Sequence, residues 1–183
     1  VDECHASGGG TVNVPPGVFA TGTIWLKDHV HLHLEFGATL LGSPNMDDYN
    51  ADDAFPQNGA FSTEQVTGAH LIIALEAEDV AITGLGTING NGGAFFGPKE
   101  GGRVFSIPDR RPGQMIYFCE CSEVRVEGVN LIHTPYWTLF IHGCDGVIVR
   151  GVRIRNPVGT RNGDGIDVDA SRNVTISDCD IRS

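Results

Sequence analysis

The feature that most constrains this chain is a strand pattern that recurs four times. Three copies place apolar residues at positions i, i+2, i+5 and i+7: VRVEGVNL, VIVRGVRI and VTISDCDI, at residues 124–131, 147–154 and 174–181. A fourth copy, VAITGLGTI at residues 80–88, carries one extra residue. Alternation around a central glycine or aspartate indicates two short strands that meet at a corner. A repeat of this length predicts a solenoid, here a parallel β-helix, because the leucine and asparagine consensus of a leucine-rich horseshoe is missing.

Successive turns of such a helix hydrogen-bond to one another about 4.8 Å apart, so equivalent residues form ladders. The predicted inward ladders are Val124–Val147–Val174, Val126–Val149–Ile176, Val129–Val152–Cys179 and Leu131–Ile154–Ile181. The predicted outward ion pairs are Glu127 with Arg150 and Arg153 with Asp180. Arg155 falls beside Arg182, and because like charges repel we expect both to splay into solvent rather than to enclose an anion.

The first half of the chain carries further strand patterns and two interruptions. VDECHASGGG has the pattern of a last helical turn stopped by glycine, and GGTVNVPPGVF and VHLHLEFGATLLG alternate as strands do. His29, His31 and His33 share one strand face, which we interpret as exposed to solvent rather than as a metal site. Residues 43–68 and 90–114 break the pattern and are predicted insertions that wall a groove. Residues 1–183 are predicted to form one β-helix domain, incomplete at both ends.

The charge of the chain is unevenly distributed. The formal net charge of −11 lies in residues 1–102, where 13 acids face two lysines, whereas residues 103–183 hold ten acids and ten arginines. Such a chain repels nucleic acid and anionic membranes, so an anionic substrate must be met by the second half. No apolar run reaches the length of a membrane span, and no signal peptide is visible. The five cysteines have no zinc-type spacing and no assignable disulfide, and Cys179 falls at a core position.

Three aspartates lie close together in RNGDGIDVDASRNVTISDCDI, residues 161–181. If the apolar residues between them point inward, Asp167 and Asp169 point outward as the ordinary polar face of a strand. Asp164 has the wrong parity, and strict alternation would bury it. Its two glycine neighbours permit a bulge that turns the side chain outward beside Arg161. The pattern therefore singles out Asp164 as a functional candidate.

These residues and the blocks before them resemble the polygalacturonase family, pectin-degrading glycoside hydrolases of the parallel β-helix class. The resemblance runs through GGGTVNVPPGVF, GTIWLKDHVHLHLEFGATLLGS, GLGTINGNG, RPGQMIYFCECSEVRVEGVNLIHTPYWTLFIHGC and the stretch from IRNP to DCDI. The last two blocks, in this order, are the specific ones. The resemblance implies an all-β, right-handed single-stranded parallel β-helix. It also implies an inverting glycosidase that acts on α-linked galacturonic acid residues of pectin or a related glycan, without cofactor or metal.

The resemblance assigns roles to individual residues. Asn162-Gly163-Asp164 occupies the place of the family's Asn-Thr-Asp motif, with glycine for the usual threonine. Asp164 then matches the acid that helps to position and activate the attacking water, and Asn162 matches the asparagine that supports the site. The family's Asp-Asp pair, Gly-His-Gly segment and Arg-x-Lys segment are missing from these residues. We expect them after Ser183, so we expect the 183-residue chain alone to be inactive.

Four more side chains complete the predicted substrate-binding or supporting set. Trp137 could stack on a sugar, although filling a corner of the coil is the commoner role for such a residue. Arg111 matches an Arg-Pro typical of bacterial relatives, and could face the groove or form a loop salt bridge. His142 is a candidate, and Phe140 occupies a place where relatives often carry histidine. Arg161 adjoins the motif itself.

Two other interpretations remain open. One is a non-catalytic carbohydrate-binding or structural β-helix of the tailspike or adhesin kind, which would lack an Asp pair after Ser183. The other is a pectate lyase, which would need calcium held by clustered acids and would form unsaturated products. The resemblance favours a pectic polysaccharide or oligosaccharide as partner, with no nucleic acid and no membrane. It further implies a monomer when complete, in an extracellular or periplasmic location.

Overall fold

The computed structural model describes residues 1–51 and 66–183, which consist almost entirely of short β-strands. In chain order the elements are α1 Asp2–Ala6, β1 Gly10–Val14, β2 Gly17–Thr21, β3 Ile24–Leu26, β4 Val30–Leu34, β5 Ala38–Gly42, β6 Ile72–Leu75, β7 Glu78–Gly84, β8 Thr87–Asn89, β9 Lys99–Glu100, β10 Val104–Phe105, β11 Ile116–Cys119, β12 Ser122–Glu127, β13 Asn130–Ile132, β14 Leu139–His142, β15 Asp145–Arg150, β16 Arg153–Arg155, β17 Ile166–Asp169, β18 Arg172–Ser177 and β19 Asp180–Arg182. Two 3-10 helices cover Met46–Asp48 and Gly92–Phe95.

Three parallel sheets run along the molecule. Sheet A contains β1, β4, β7, β12, β15 and β18 in that order, sheet B contains β2, β5, β8, β13, β16 and β19, and sheet C contains β3, β6, β11, β14 and β17. The chain passes from A to B to C in each turn, so every turn adds one strand to each sheet until β19. The protein is therefore a right-handed parallel β-helix, as predicted.

The core is made of the predicted ladders. Val124 pairs in register with Val147 and Val147 with Val174, and Leu131, Ile154 and Ile181 follow each other in sheet B. The valines of the two inner turns are completely buried, which is the position that favours β-branched side chains in a strand. All five cysteines lie in the described part of the chain and none is in a disulfide, and Cys179 packs against the core as predicted.

The corner between sheets A and B explains the glycine or aspartate at the centre of each repeat. Gly84, Gly128, Gly151 and Asp178 stand there with φ values of 110°, 78°, 63° and 56°. A Cβ on Gly128 would lie 2.6 Å from the carbonyl oxygen of Gly84, so these two turns stack too closely for a side chain there, whereas nothing lies within 4 Å of a Cβ on Gly151 and the next corner carries Asp178. The predicted corner is confirmed, and it depends on a left-handed residue at the same place in each turn.

The outward ion pairs have the predicted strand register, but only one of the two has the predicted partner. Glu127 and Arg150 are opposite each other, and their side chains approach to 3.3 Å as predicted. Asp180 is opposite Arg153, yet its carboxylate pairs with Arg155. Arg155 lies in register with Arg182. Its guanidinium does not splay into solvent as predicted but pairs with Asp180, and this attraction offsets the repulsion between the two arginines.

Sheet C differs from the other two because several of its strands are buried on both faces. Ile73, Tyr117 and Cys119 point away from the coil interior, yet they are essentially inaccessible and form a second apolar cluster with Phe140. Strands of this kind read as continuous apolar runs rather than as alternating ones. The sequence pattern consequently predicted the A and B strands and, of sheet C, only the last strand, β17.

The longer connections leave the coil at one corner, between sheets B and C. They are residues 43–71, 90–115, 133–138 and 156–165, whereas the later turns from C to A take two residues each. The predicted insertion at 43–68 lies partly outside the described residues, which omit 52–65. The predicted insertion at 90–114 contains an antiparallel hairpin, β9–β10, that the sequence did not reveal.

The N-terminal turns follow the predicted pattern. The helix α1 precedes two left-handed glycines, and Val30, Leu32 and Leu34 are buried. On the other face of β4, His31 approaches the Asp79 carboxylate at 3.2 Å and His33 approaches the Thr83 hydroxyl at 2.8 Å. In residues 1–51 and 66–183, no helix is long and apolar enough to cross a membrane.

Candidate active site

The predicted site residues converge at the last two strands of sheet C, on the face away from the core. Two connections frame this place: residues 133–138 before β14, and residues 156–165 before β17, here called the acid loop. Thr138 donates its main-chain N–H to the Asp164 carbonyl at 2.8 Å, and Leu139 donates to Gly165 at 3.2 Å. The two connections therefore stay in register as they enter the sheet, which fixes the main chain on either side of Asp164.

Asp164 is exposed, as predicted, although the local structure differs from the predicted bulge. The strand begins only at Ile166, so Asp164 lies in the loop and the parity of the strand does not apply to it. Its glycine neighbours are buried: a Cβ on Gly165 would lie 2.7 Å from the Ile181 side chain, and one on Gly163 would lie 2.9 Å from Thr160. The glycines are there for close packing beneath an outward carboxylate.

Asn162 is the non-glycine residue of the acid loop that has a left-handed conformation. Its φ is 53°, a conformation that asparagine tolerates better than most residues. The chain turns at residues 161–162, just before Asp164 and the start of β17 in sheet C. The geometry is compatible with the supporting role that the resemblance implies for Asn162.

Asp167 is the residue that sequence reasoning placed incorrectly. It points outward in register with Phe140, but it is half-buried rather than on the wet face of the strand. Burial, and then the neighbouring charge of Asp164, raise the pKa of Asp167 to about 6. Its Oδ2 atom is buried and meets no hydrogen-bond partner among the described residues. Asp164 and Asp167 thus form a pair in which one carboxyl group holds a proton more readily than usual.

Asp169 remains exposed, as predicted, and it pairs with a candidate residue. Its carboxylate lies 2.7 Å from Nδ1 of His142 on the adjacent strand. His142 lies on the same face as Phe140, with ring centroids 5.9 Å apart. The structure therefore brings His142 to the outer face of sheet C, one residue pair further along the strands than Phe140 and Asp167.

Trp137 lies in the connection at the corner between sheets B and C, on the outer side of the coil. Its ring stacks on Tyr136 at 5.2 Å and meets Phe140 edge-on at 5.2 Å. Tyr117 stacks on Phe140 at 5.0 Å, so an aromatic cluster extends along sheet C towards Asp167. The half-buried Trp137 ring packs against this outer cluster beside the candidate site, and its stacking on a sugar and its filling of the corner both stay predictions.

Arg111 is completely buried, so it does not face the groove. One guanidinium nitrogen donates to the carbonyl oxygens of Pro135 and Arg161, at 2.7 Å each, and the group lies over the Tyr136 ring. These contacts tie residues 133–138 to the acid loop. Of the two predicted alternatives, facing the groove is wrong because the side chain is buried, and the loop salt bridge stays a prediction.

Arg161 is exposed at the start of the motif, where it pairs with Glu100 at 3.0 Å. It does not contact Asp164 through any described hydrogen bond or ion pair. Its carbonyl oxygen accepts the bond from Arg111 described above. Arg161 therefore links the acid loop to the β9–β10 hairpin on one side and to the buried arginine on the other.

Asn156 is a supporting residue that the sequence did not reveal. Its buried amide donates to Thr138 Oγ1 at 2.8 Å and to the Gly163 carbonyl at 3.2 Å, and it accepts from the Thr134 N–H at 3.0 Å. A single side chain thus holds both connections that frame Asp164. The only sequence signal was an asparagine before proline in RNP, which by itself indicates no more than a turn.

No group of three or more His, Cys, Asp or Glu side chains in the described residues is arranged to hold a metal ion. The site consists instead of an exposed aspartate, a half-buried aspartate with a raised pKa, a histidine and the aromatic cluster on sheet C, here called the aromatic wall: Tyr117, Tyr136, Trp137 and Phe140. A carboxyl group with a raised pKa beside a second aspartate is an arrangement suited to general acid and base catalysis.

Comparison with known proteins shows extensive similarity. The family model for glycosyl hydrolases family 28 matches residues 4–183. A "Probable polygalacturonase" from Vitis vinifera is 30% identical over 181 residues, covering 97% of this chain and 36% of the relative. An "Exo-poly-alpha-D-galacturonosidase" from Dickeya chrysanthemi is 40% identical over 100 residues, covering 50% of this chain and 16% of the relative. The chain thus spans about a third or less of these two relatives.

A solved structure shares the fold. The hyperthermoactive exopolygalacturonase from Thermotoga maritima superimposes with a TM-score of 0.76 at 28% identity. The match covers 97% of this chain and 46% of the Thermotoga chain. The superposition therefore covers nearly the whole of this chain.

Proposed function

Because the chain belongs to glycosyl hydrolases family 28, we propose that the whole protein hydrolyses α-linked galacturonic acid residues in pectin or a related glycan. The observation that carries the proposal is the arrangement of Asp164 and Asp167 at the exposed end of the aromatic wall on sheet C. The relatives named above are polygalacturonases or an exo-poly-α-galacturonosidase, which supports this substrate class. The chain would contribute several coils and part of the site.

The proposed reaction is direct displacement by water with inversion at the anomeric carbon. Such a reaction needs a carboxylate that activates the water and a protonated acid at the leaving oxygen, roughly 6.5–9.5 Å apart. We assign Asp164 to the water side because it is exposed and lies on a loop held from beneath by Arg111 and Asn156. A rigid support of this kind is what a catalytic group requires.

The surrounding residues would bind or orient the sugar. Asp167, with its pKa raised to about 6, holds a proton in mildly acidic solution and then adds no second negative charge beside Asp164. That lowers the repulsion of an anionic uronate. Trp137 offers the edge of an aromatic wall to a pyranose ring, and His142 offers an imidazole held by Asp169. Asn162 and Arg161 shape the loop that carries Asp164.

The substrate also suggests where the protein works. A pectic polysaccharide is a cell-wall polymer that is too large to enter a cell intact, so we place the protein outside the cytoplasm, in an extracellular or periplasmic location. We further propose a monomer. Light scattering of the whole protein, combined with fractionation of the cells that make it, tests both points.

The test of the activity is Asp164→Asn in the whole protein. We expect parental folding by circular dichroism and a loss of polygalacturonate hydrolysis of at least about a hundredfold, since a positioned acid or base typically contributes that much. Asp178→Asn is the matched control, because it removes an exposed aspartate at the corner between sheets A and B. Retained hydrolysis in Asp164→Asn would sink the assignment. Unsaturated products from the parent protein would indicate a lyase instead.

A further inference from the structure

We propose that the β9–β10 hairpin, residues 97–106, is a positioning element for the acid loop, and that its contacts with Gly159 and Arg161 set the location of Asp164. This inference rests on the proposed function. The hairpin is an excursion from the coil far from Asp164 in sequence, and the residues that connect the two are specific enough to test.

The first contacts are made with the main chain of the acid loop. Lys99 donates from Nζ to the Val158 carbonyl at 2.7 Å, and Phe105 donates its N–H to the Gly159 carbonyl at 2.9 Å. A Cβ on Gly159 would lie 2.2 Å from the Arg103 carbonyl oxygen. The hairpin and the loop are therefore in backbone contact, at a point where only glycine fits.

The second contact is the ion pair between Glu100 and Arg161, at 3.0 Å. Both side chains are partly exposed, and an isolated pair of this kind contributes little by itself. Here it acts together with the hydrogen bonds that the Val158 and Gly159 carbonyls accept from the hairpin. Arg111 holds the Arg161 carbonyl from the buried side. Arg161, three positions before Asp164, is therefore held by Glu100 of the hairpin on the exposed side and by Arg111 on the buried side.

The hairpin is also rigid enough to transmit a position. Its two strands pair antiparallel, with Lys99 opposite Phe105 and Glu100 opposite Val104. The Phe105 ring stacks on Phe96 at 5.2 Å, and the Lys99 ammonium lies 4.7 Å from the centre of the Phe105 ring. The residues that touch the acid loop therefore also brace each other.

The consequence for catalysis follows from distance along the chain. Between Arg161 and Asp164 there are only Asn162 and the buried Gly163, so a displaced Arg161 moves the carboxylate that follows. A misplacement of about 1 Å can reduce turnover by roughly a hundredfold without any loss of the reacting group. The hairpin residues act through the loop and do not touch the reacting atoms.

The decisive experiment compares Gly159→Ala with Gly8→Ala in the whole protein. Both glycines have positive φ, 98° and 95°, so both alanines are strained. Only the alanine at 159 meets a neighbour, because nothing lies within 4 Å of a Cβ at position 8, which is outside the hairpin and the acid loop. We expect Gly159→Ala to lower kcat by about tenfold or more while KM stays within about threefold, and Gly8→Ala to keep both parameters.

A charge exchange tests the same element without a steric wedge. Glu100→Arg and Arg161→Glu should each lower kcat, and the double variant should recover most of the loss because the pair is restored with reversed signs. If Glu100→Arg, Arg161→Glu, the double variant and Gly159→Ala all had the kcat of the parent protein, the proposal would be overturned. A recovery in the double variant distinguishes positioning from a general loss of stability.

A readout without catalysis separates this inference from the proposed function. The Thr138 amide donates to the Asp164 carbonyl, so its hydrogen exchange reports how firmly the acid loop is held. We expect faster exchange at Thr138 in Gly159→Ala than in Gly8→Ala. Unchanged exchange would contradict the positioning role. If the parent protein does not hydrolyse galacturonan, the proposed function fails and the exchange comparison alone decides the role of the hairpin.

Discussion

Asp167 differs from the other two carboxylates around it because the folded protein keeps part of it from water. Its pKa is raised to about 6, first by burial and then by Asp164, from an ordinary value near 3.8. The folded state therefore favours the protonated form. The stability that this form provides is fully present below about pH 4 and is lost as the pH rises through about 6.

Replacing Asp167 with asparagine should consequently stabilise the protein in a pH-dependent way. Allowing for screening of a half-buried group, we expect a gain of about 1 kcal/mol at pH 8 and almost none at pH 4. Urea unfolding of the parent and of Asp167→Asn at both pH values measures the difference. Asp178→Asn controls for the loss of one exposed carboxylate. A gain of the same size at both pH values would contradict the burial of Asp167.

The contrast between Asp164 and Asp167 shows what a sequence can predict at this scale. The two glycine neighbours of Asp164 are a local feature, and they were enough to predict an outward carboxylate, although the parity argument does not apply because Asp164 precedes the strand. The burial of Asp167 depends on residues that are distant in sequence, since its strand neighbour Phe140 packs against Trp137 and Tyr117. Non-local burial leaves no trace in the alternation of a strand, so Asp167 was assigned to the wet face.

At the scale of the strand, alternation predicted what one buried face can specify. The ladders of sheets A and B follow from period-two patterns with a left-handed residue at each corner, and their register was correct to the residue. Sheet C has no such period because Ile72–Leu75 and Ile116–Cys119 are apolar on both faces. Its strands could be recognised only once the second apolar cluster outside the coil was visible.

The corner between sheets A and B offers a direct test of turn stacking. A Cβ on Gly86 would lie 2.6 Å from the Leu34 Cβ and 2.9 Å from the Ala38 carbonyl oxygen. Gly86→Ala should therefore push two turns apart and destabilise the protein by about 2 kcal/mol, the usual cost of overpacking. Gly93→Ala is the matched control, because its Cβ would meet nothing within 4 Å. Thermal unfolding of both variants gives the comparison, and equal melting temperatures would contradict the close stacking.

At the scale of the whole molecule, stability should vary along the helix axis, because each turn of a solenoid contacts only its neighbours. The inward ladder residue Val147 is fully buried between two turns, whereas Phe19 in β2 and Ile176 in β18 remain 40% and 43% exposed. Hydrogen exchange of the 183-residue chain should accordingly be slowest in β7, β12 and β15 and fastest in β1, β2, β18 and β19.

Val147→Ala should speed exchange in the turns on both sides, and the conservative Ile176→Val should affect only the last turn. Uniform protection in all strands would mean that the chain opens as one cooperative unit. In that case the acid loop would be as stable as the core, and it could not be loosened by the hairpin variants alone.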